Sequence, residues 1–296
     1  MSEPIVPLSL GDRCFIALQH LLPQHGLSRL VHAAARSELP WFKNTLIRSF
    51  MAGFNPDLSD AVQSEATAYP SLNAFFTRAL RAGTRPLPQD PAEIACPVDG
   101  TISEIGPINH DRLLQAKGRQ YTLAALLAGR EEWINRFIGG QFATIYLAPY
   151  NYHRIHMPLD GLLQEIWYIP GKLFSVNRTT ANGVANVFAR NERIACFFDA
   201  AGLPHALLMI GALNVGSMET VWHGEIAPRR PRQLAQLETG DARGPFRATR
   251  GEELGRFNMG STVILLYPRD TIAWYPHLLS GRTVRMGEPL GRRVAP

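Results

Sequence analysis

Short apolar runs separated by turn residues dominate the chain after Pro86. Gly, Pro or Asn punctuates them, so the chain is expected to reverse direction often. One helical segment, "TLAALLAG" at 122–129, interrupts them. Frequent reversals with few helices between them favour an α+β fold with a mostly antiparallel β domain over a doubly wound sheet. The runs are "QFATIYLAP", "LLQEIWYIP", "VANVFAR", "RIACFFD", "HALLMIGALNVGSMETVW" and "STVILLYP".

The first 55 residues have a helical pattern instead. The segment "DRCFIALQHLLP" is predicted to start at an Asp12 cap and stop at Pro23. A later segment, "LPWFKNTLIRSFMAGF", has a broad apolar face. A short helix with Ser71 as its cap is predicted at "SLNAFFTRAL" (71–80). The apolar faces of the two longer segments consist of Phe15, Leu18, Leu22, Trp41, Phe42, Leu46, Ile47 and Phe50.

Charge and apolar surface in this segment suggest a membrane contact. Residues 1–55 carry a net charge of +2, and Trp41 accompanies the arginines. Amphipathic helices of this kind are typical of interfacial anchors on anionic membranes, although packing on the main domain would explain the same pattern. We therefore predict a helical membrane-associating region over 1–65 and a β-rich catalytic domain over 66–296.

The overall composition limits the cellular compartments and the binding partners that the chain can have. The three cysteines are odd in number and widely spaced, which fits a reducing compartment. No signal-peptide pattern and no apolar stretch of about 20 residues is present, so we expect the protein on the cytoplasmic side. The net charge of +5 is modest and no nucleic-acid motif accompanies it, so no nucleic-acid partner is predicted.

Three features of the β region could carry chemistry. The turn "CPVDG" (96–100) presents Asp99, and "YNYHRIHMP" (150–158) contains His153 and His156. The third feature is the tripeptide Gly260-Ser261-Thr262. In an extended segment, residues three apart point to opposite faces, and no third ligand cluster lies near the histidines, so no metal site is predicted.

Asp, His and Ser are the elements of a nucleophilic triad. The Gly-x-Ser-x-Gly elbow of esterases is absent, which suggests a different electrophile for Ser261. That electrophile is the carbonyl of Gly260, whose lack of a side chain leaves it unshielded. Glycine also permits strained backbone conformations that could weaken this peptide.

The chain resembles the phosphatidylserine decarboxylases of bacterial type over nearly its whole length. The motifs that carry this resemblance are "LNAFFTRAL", "PVDG", "LQAKGRQYTLAALLAG", "YHRIHMP", "PGKLFSVN", "ARNERI", "VGSMETVW", "GRFNMGSTV" and "RMGEPLG". Two positions differ from the family pattern. Met259 replaces the usual leucine before the tripeptide, and Asn151 replaces the usual aspartate before the first histidine.

The resemblance implies a self-processing enzyme. Asp99 and His156 match the pair that activates Ser261, whose hydroxyl attacks the Gly260 carbonyl. The break would yield chains 1–260 and 261–296, which stay together as a heterodimer, and would convert Ser261 into a covalent pyruvoyl cofactor. The enzyme would decarboxylate phosphatidylserine to phosphatidylethanolamine, because the pyruvoyl group supplies the electron sink that this reaction needs.

Further roles follow from the same resemblance. His153 is the candidate proton donor after carbon dioxide leaves. Ser175 and Asn177 in "FSVN" could bind polar headgroup atoms, or could simply form a structural turn. A lipid substrate favours the interpretation of the N-terminal helices as a membrane anchor. The protein is therefore expected to be peripheral, on the cytoplasmic face of the cell membrane.

Two other functions remain open. One is a pyruvoyl decarboxylase of a soluble amino acid, which the amphipathic N-terminus argues against. The other is a non-catalytic lipid-binding module in which Gly260-Ser261 is an inert turn.

Overall fold

The computed structural model describes residues 8–116, 118–213, 217–226, 233–241, 244–259 and 262–294. Helices of the described residues are α1 (Leu10–Leu21), α2 (Gln24–Ala35), α3 (Pro40–Phe54), α4 (Leu72–Phe76), α5 (Leu123–Leu126), α6 (Glu131–Phe137), α7 (Arg178–Gly183) and α8 (Val187–Arg190). A 3₁₀ turn spans Ala66–Ala68.

The strands of the described residues all follow α4, and the short helices α5–α8 lie between some of them. They are β1 (Glu93–Ala95), β2 (Gly100–Pro107), β3 (Arg112–Ala116), β4 (Arg119–Thr122), β5 (Gln141–Tyr146), β6 (Arg154–His156), β7 (Gly161–Ile169), β8 (Arg193–Asp199), β9 (Pro204–Ile210), β10 (Ser217–Thr220), β11 (Gly224–Ile226), β12 (Ala235–Leu237), β13 (Gly240–Asp241), β14 (Gly244–Pro245), β15 (Arg247–Ala248), β16 (Glu253–Asn258), β17 (Thr262–Tyr267), β18 (Ile272–Trp274), β19 (Thr283–Val284) and β20 (Pro289–Arg293).

One large sheet organises the β region. Its order is β12-β7-β8-β9-β17-β5-β2-β19, and β15 also pairs with β7. A four-stranded sheet has the order β11-β10-β16-β6, and a three-stranded sheet the order β1-β20-β18. The pairs within these sheets are antiparallel. The predicted α+β class, with an antiparallel β domain and N-terminal helices, is confirmed.

The central strands of the large sheet are buried on both faces. In β17, Val263 and Leu265 join a core cluster that also holds Phe257 of the four-stranded sheet. Ile264 and Leu266 join a second cluster, on the other face, with apolar residues of α5 to α8. Burial on both faces explains why "STVILLYP" is a continuous apolar run rather than an alternating one.

Two local predictions were wrong. Asp12 is not the cap of α1: Ser9 is, and its hydroxyl accepts from the Asp12 backbone N–H at 3.1 Å while the Asp12 carboxylate accepts from Ser9 in return. This is a capping box, in which the acidic residue occupies the third helical position. The segment "VANVFAR" was predicted as a strand, but its last four residues form α8, which follows Asn186 in the left-handed conformation. With α6 and α7, it adds to the single helical segment that was expected at 122–129.

The helix predicted at 71–80 is present but shorter. Its cap is Ser71, as predicted, and the hydroxyl accepts from the Ala74 N–H at 3.1 Å. The helix ends at Phe76. Beyond that point Leu80 forms a β-bridge with Ala61, so the chain has left the helix to make a tertiary contact.

Polar side chains attach the first two helices to the β region. Gln19 accepts from the Ser175 N–H at 2.7 Å, and Gln24 accepts from the Leu173 N–H at 2.8 Å. His25 Nε2 lies 3.0 Å from the Gly171 carbonyl oxygen. In contrast, α3 packs through apolar residues, because Ile47 and Phe50 share a buried cluster with α4. Within the described residues, no helix is long and apolar enough to cross a bilayer.

Candidate active site

In sequence, the predicted cleavage site falls between strands that belong to two different sheets. Strand β16 ends at Asn258 in the four-stranded sheet, and β17 begins at Thr262 in the nine-stranded sheet. Gly260 and Ser261 themselves lie outside the described residues. Thr262 pairs with Tyr146 on one side and Ile210 on the other, so the strand that follows the predicted cleavage site is bonded along both edges.

Met259 is the last described residue before the predicted cleavage site. Its φ is +78°, a left-handed conformation that non-glycine residues rarely adopt and that costs on the order of 1–3 kcal/mol. Its side chain packs against the apolar cluster of α3 and α4. Methionine thus supplies the apolar contact at the position where the family usually has leucine.

Asp99 is held by charge and by backbone. Arg85 makes two bonds to its carboxylate, Nε to Oδ1 at 3.1 Å and Nη2 to Oδ2 at 2.6 Å. The Met286 N–H also donates to Oδ1, at 2.8 Å. Arg85 binds Asp60 as well, at 2.6 Å. Three donors therefore fix the position and orientation of this carboxylate.

Both ring nitrogens of His156 are occupied. Nδ1 lies 2.8 Å from the Gly251 carbonyl oxygen, and Nε2 lies 2.9 Å from the Tyr152 hydroxyl oxygen. A carbonyl can only accept, so Nδ1 carries the proton and Nε2 accepts from Tyr152. Burial lowers the pKa of His156. The ring is therefore neutral near pH 7, with its basic nitrogen at Nε2.

Asp99 and His156 occupy neighbouring segments, but no hydrogen bond joins their side chains. The His156 N–H donates to the Pro97 carbonyl at 2.9 Å, which places β6 beside the turn that carries Asp99. Burial dominates the lowered pKa of His156, and the Asp99 charge opposes it as a smaller influence. The predicted Asp99–His156 pair is thus close enough to interact electrostatically, while each side chain bonds to other partners.

His153 lies in a separate, fully buried environment. Its Nε2 is 3.0 Å from the Ala148 carbonyl oxygen, and its ring stacks on Phe76 with centroids 3.9 Å apart. Its backbone carbonyl accepts from the Phe257 N–H, so it lies beside the end of β16. Nδ1 is buried and has no hydrogen-bond partner among the described residues. This nitrogen is a free acceptor close to the strand that leads to the predicted cleavage site.

Asn151 replaces the usual aspartate without loss of its local contact. Its Oδ1 accepts from the Ala148 N–H at 2.8 Å and closes the turn before the two histidines. An amide oxygen makes this bond as a carboxylate oxygen would. The structure therefore gives position 151 a role in the shape of the turn.

Ser175 and Asn177 form a local turn and helix cap. The Asn177 side chain caps α7 by accepting from the Thr180 N–H at 3.0 Å, and the Ser175 hydroxyl accepts from the Asn177 N–H at 3.3 Å. Neither contact involves Asp99, His153 or His156. A headgroup-binding role for these two residues stays a prediction, and the observed bonds follow the alternative of a structural turn.

Sequence reasoning did not assign three residues that contact this site. Arg85 fixes Asp99, Tyr152 bonds to His156, and the Arg78 guanidinium donates to the Tyr150 and Asn151 carbonyl oxygens. Arg78 and Tyr152 lie inside quoted motifs, but only their spatial partners reveal what they do.

Buried histidines make the stability of this fold pH-dependent. Burial lowers the pKa of His153 to about 3 and that of His205 to about 4, against about 6.5 in an unfolded chain. Above pH 6.5 both states are neutral and the free energy of unfolding is unaffected. Below it, the unfolded chain binds protons that the folded chain does not, so stability falls by up to about 1.4 kcal/mol per pH unit for each histidine.

Urea unfolding between about pH 7.5 and pH 5 measures this decline. His205 stacks between Phe198 and Tyr267, so His205→Phe preserves an aromatic ring while removing the titration. We expect a shallower pH dependence for His205→Phe, and an unchanged one for His110→Gln at an exposed position. Identical slopes for the wild type and His205→Phe would show that burial does not suppress protonation of His205.

Comparison with known protein families and sequences identifies the family of the chain. The family model for phosphatidylserine decarboxylase matches residues 72–292, and a second model, described only as PSD, matches residues 14–55. The first match covers more than half of the chain. The chain belongs to the phosphatidylserine decarboxylase family.

Several curated relatives are similar over nearly their full length, and each is named phosphatidylserine decarboxylase proenzyme. The relative from Ectopseudomonas mendocina is 48% identical over 95% of this chain and 99% of its own. The one from Pseudomonas aeruginosa is 49% identical over 96% and 98%, and the one from Methylococcus capsulatus 47% identical over 97% and 99%. The predicted family is confirmed.

Proposed function

We propose that this chain is a proenzyme that cleaves itself at Gly260-Ser261 and then decarboxylates phosphatidylserine to phosphatidylethanolamine. Family membership supports the reaction, and the observation that carries the processing step is the position of β17. This strand begins just after the predicted cleavage site and is bonded to β9 and β5 along its length. A break before it leaves a 36-residue chain, 261–296, that stays held in the fold.

Further pairings support a stable complex of the two chains. Strand β19 pairs with β2, and β20 pairs with β1, so the small chain enters two sheets of the large chain. Val263, Leu265 and Leu290 are fully buried. Separation would expose these side chains, each of which contributes about 1.5–3 kcal/mol of apolar burial.

Two buried polar atoms, one in the residue that follows Ser261 in sequence and one in His153, suit a polar prosthetic group. Thr262 Oγ1 and His153 Nδ1 are both buried and lack hydrogen-bond partners among the described residues. A pyruvoyl group carries carbonyl oxygens and no charge, so it fits a buried polar site better than an ionised cofactor would. When present, this group takes up the electron pair that the departing carboxylate leaves behind.

In the processing step, His156 would act on the Ser261 hydroxyl. The proton would go to Nε2, which accepts from the Tyr152 hydroxyl in this structure. Tyr152 must therefore relay that proton or give way. The Asp99 carboxylate favours the positive charge that His156 acquires, and two hydrogen bonds from Arg85 hold that carboxylate in position.

In the decarboxylation step, His153 would return a proton to the substrate carbon. Its lowered pKa keeps it neutral in the empty site. Nδ1 is the free nitrogen, so a proton taken up there is the one available for transfer. An anionic headgroup that enters this buried space would raise the pKa of the His153 imidazole, so Nδ1 would become protonated when the substrate is bound.

The first two helices support attachment to a membrane, because their amphipathic character is partly reversed: Ile16 and Ala35 pack inwards, but so do several polar residues. Polar residues face the protein: Gln19, Gln24 and Ser28 are buried. Leucines face outwards, with Leu21 83% exposed and Leu30 68% exposed. A helix that faces only water buries its apolar side. The reversed pattern fits an apolar surface that a lipid layer covers.

Exposed apolar residues are concentrated in this region. Of the fifteen large apolar side chains exposed among the described residues, eight lie between residues 10 and 54. Arg13, Arg29 and Arg48 lie in the same region, and no salt bridge links them to a described residue. We infer peripheral attachment to the anionic, cytoplasmic face of the cell membrane, with apolar insertion assisted by these cations.

Charge placed on this surface should release the protein from vesicles. Leu21→Asp, Leu30→Asp and Trp41→Asp together should weaken binding to vesicles containing anionic lipid by at least about tenfold, because each removes exposed apolar area. These positions avoid Ile47 and Phe50, which are buried, so folding is preserved. Vesicle co-sedimentation measures the effect. Leu279→Asp, at a position 66% exposed elsewhere, is the control. Equal binding by the triple variant and the wild type would show that the helices are only scaffold.

An assay with two substrates tests the proposed function itself. Processed protein should release carbon dioxide from phosphatidylserine in detergent micelles and leave free serine unchanged. Decarboxylation of free serine at a comparable rate would favour a soluble amino-acid decarboxylase instead. An uncut chain without activity on either substrate would favour a lipid-binding module.

A further inference from the structure

Arg78 carries a buried positive charge beside the histidine segment. The residue is 3% exposed, and the Phe75 ring lies 5.7 Å from its guanidinium carbon. Its Nη2 donates to the carbonyl oxygens of Tyr150, at 3.0 Å, and Asn151, at 3.3 Å. Its Nε and Nη1 are buried and have no hydrogen-bond partner among the described residues. A buried guanidinium with unpaired nitrogens destabilises the fold unless an anion binds to it.

The other arginines around the site already have carboxylate partners. Arg85 pairs with two aspartates, Arg154 pairs with Glu253 at 2.8 Å, and Arg256 pairs with Glu253 at 2.8 Å. Arg78 makes no ion pair with any described residue. It is therefore the arginine of this group whose charge is available to a bound anion.

The charge of Arg78 reaches both candidate catalytic segments. After burial, it is the next influence that lowers the pKa of His153. The Asp99 carboxylate in turn partly offsets the burial that lowers the pKa of Arg78. An anion bound to Arg78 would therefore lie within electrostatic range of the proton-transfer residues.

We propose that Arg78 binds the phosphodiester of the lipid headgroup in this site. The inference rests on the function proposed above and adds a binding residue to it. The headgroup of phosphatidylserine offers two anions, a phosphodiester and a carboxylate. A guanidinium on the carboxylate would stabilise the ground state that has to lose it, and so slow the reaction. The phosphodiester keeps its charge from substrate to product, so binding it has no such cost.

The loop that Arg78 bonds to reaches the protein surface. The two carbonyls that Arg78 bonds belong to residues 150 and 151, and Tyr150 is 49% exposed. A neutral carbonyl is a weaker partner for a guanidinium than a phosphate oxygen is. An entering phosphodiester can therefore take the place of the loop carbonyls, or bind the two free nitrogens beside them.

Arg78→Gln and Arg78→Lys test this assignment, with Arg81→Gln as the control at an exposed arginine three residues away. Three quantities are measured: the cut fraction on a gel, kcat and KM per cut chain on micellar phosphatidylserine, and inhibition by two soluble probes. Of the two anions of the headgroup, glycerophosphoethanolamine carries only the phosphodiester and N-acetylserine carries only the carboxylate. We expect Arg78→Gln to be cut and to show a KM raised by about 10- to 100-fold, with a much smaller change in kcat, because the lost charge also acts on His153.

The probes separate the possible partners. Glycerophosphoethanolamine should inhibit Arg78→Gln more weakly than the wild type by the same factor, and Arg78→Lys should be intermediate. Weakened inhibition by N-acetylserine alone would assign the carboxylate to Arg78 and overturn the proposal. An unchanged KM, or failure of both variants to be cut, would show a purely structural residue and would also overturn it. Failure of the proposed function would appear differently, as wild-type protein without lipid turnover.

Discussion

Ser261→Ala should remain a single chain of 296 residues with no decarboxylase activity, while the wild type should be cut into chains 1–260 and 261–296. Alanine has no hydroxyl to attack the Gly260 carbonyl, so both the break and the prosthetic group are lost. The expected loss of activity is complete, because one residue supplies the nucleophile for processing and the atoms of the cofactor. Denaturing gels and a lipid assay on the same preparation measure both effects.

A matched control separates this chemistry from a general effect on the fold. Ser280→Ala removes a hydroxyl from the same small chain at an exposed position, where it donates only to the Ser103 carbonyl. That variant should be cut and should be as active as the wild type. Cutting of Ser261→Ala at the same site would rule out Ser261 as the nucleophile.

The two histidines should fail in different ways. His156→Ala should accumulate uncut chain, because an unassisted serine hydroxyl is a poor nucleophile. His153→Ala should still be cut, at least in part, and each cut molecule should turn over lipid more slowly by about 10²–10⁴-fold, the usual contribution of a general acid. The structure supports separable roles, because His156 bonds to Tyr152 and Gly251 whereas His153 stacks on Phe76.

Paired measurements decide this division of labour. Gel analysis gives the cut fraction, and phosphatidylethanolamine formation is normalised to it. His110→Ala, at an exposed histidine, should match the wild type in both. Equal loss of processing and turnover in both variants would contradict separate roles, and the reverse pattern would mean that the two roles are exchanged.

Much of the fold follows from short-range patterns. The continuous apolar run at β17 and the run at β5 predicted strands because both faces of these strands are buried. Ser71 was identified as a cap because its hydroxyl serves the backbone three residues away, a contact that sequence spacing fixes. The error at "VANVFAR" has a tertiary cause. Four residues are too few to show helical periodicity, and the burial of Val187 and Phe188 against α5 determines the outcome.

The sequence predicted only part of the candidate site. Asp99, His153 and His156 stand in compact motifs, so their residue types could be read directly. Their partners could not, because Arg85 reaches Asp99 across 14 positions and His156 reaches Gly251 across 95. The sequence also could not predict that Nε and Nη1 of Arg78 lack hydrogen-bond partners, because this is seen only when the positions of the neighbouring residues are known.

The same limit applies to the N-terminal helices. Their sequence predicted amphipathic segments but left open which face meets the protein. The bonds from Gln19 and Gln24 to the backbone near residues 173–175 settle the orientation of α1 and α2 and leave the leucines outside. For α3 the outcome is mixed. Ile47 and Phe50 are core residues, whereas Trp41 stays 72% exposed.

The proposed activity depends on the conversion of Ser261 into a pyruvoyl group at the start of a new chain. Intact-mass measurement of purified wild-type protein, before and after treatment with a carbonyl-specific hydrazide, detects this conversion. We expect two chains, with the smaller one, 261–296, resistant to N-terminal sequencing and heavier by one hydrazide after treatment. A single active chain of full length, or a small chain that begins with an unmodified serine, would contradict it.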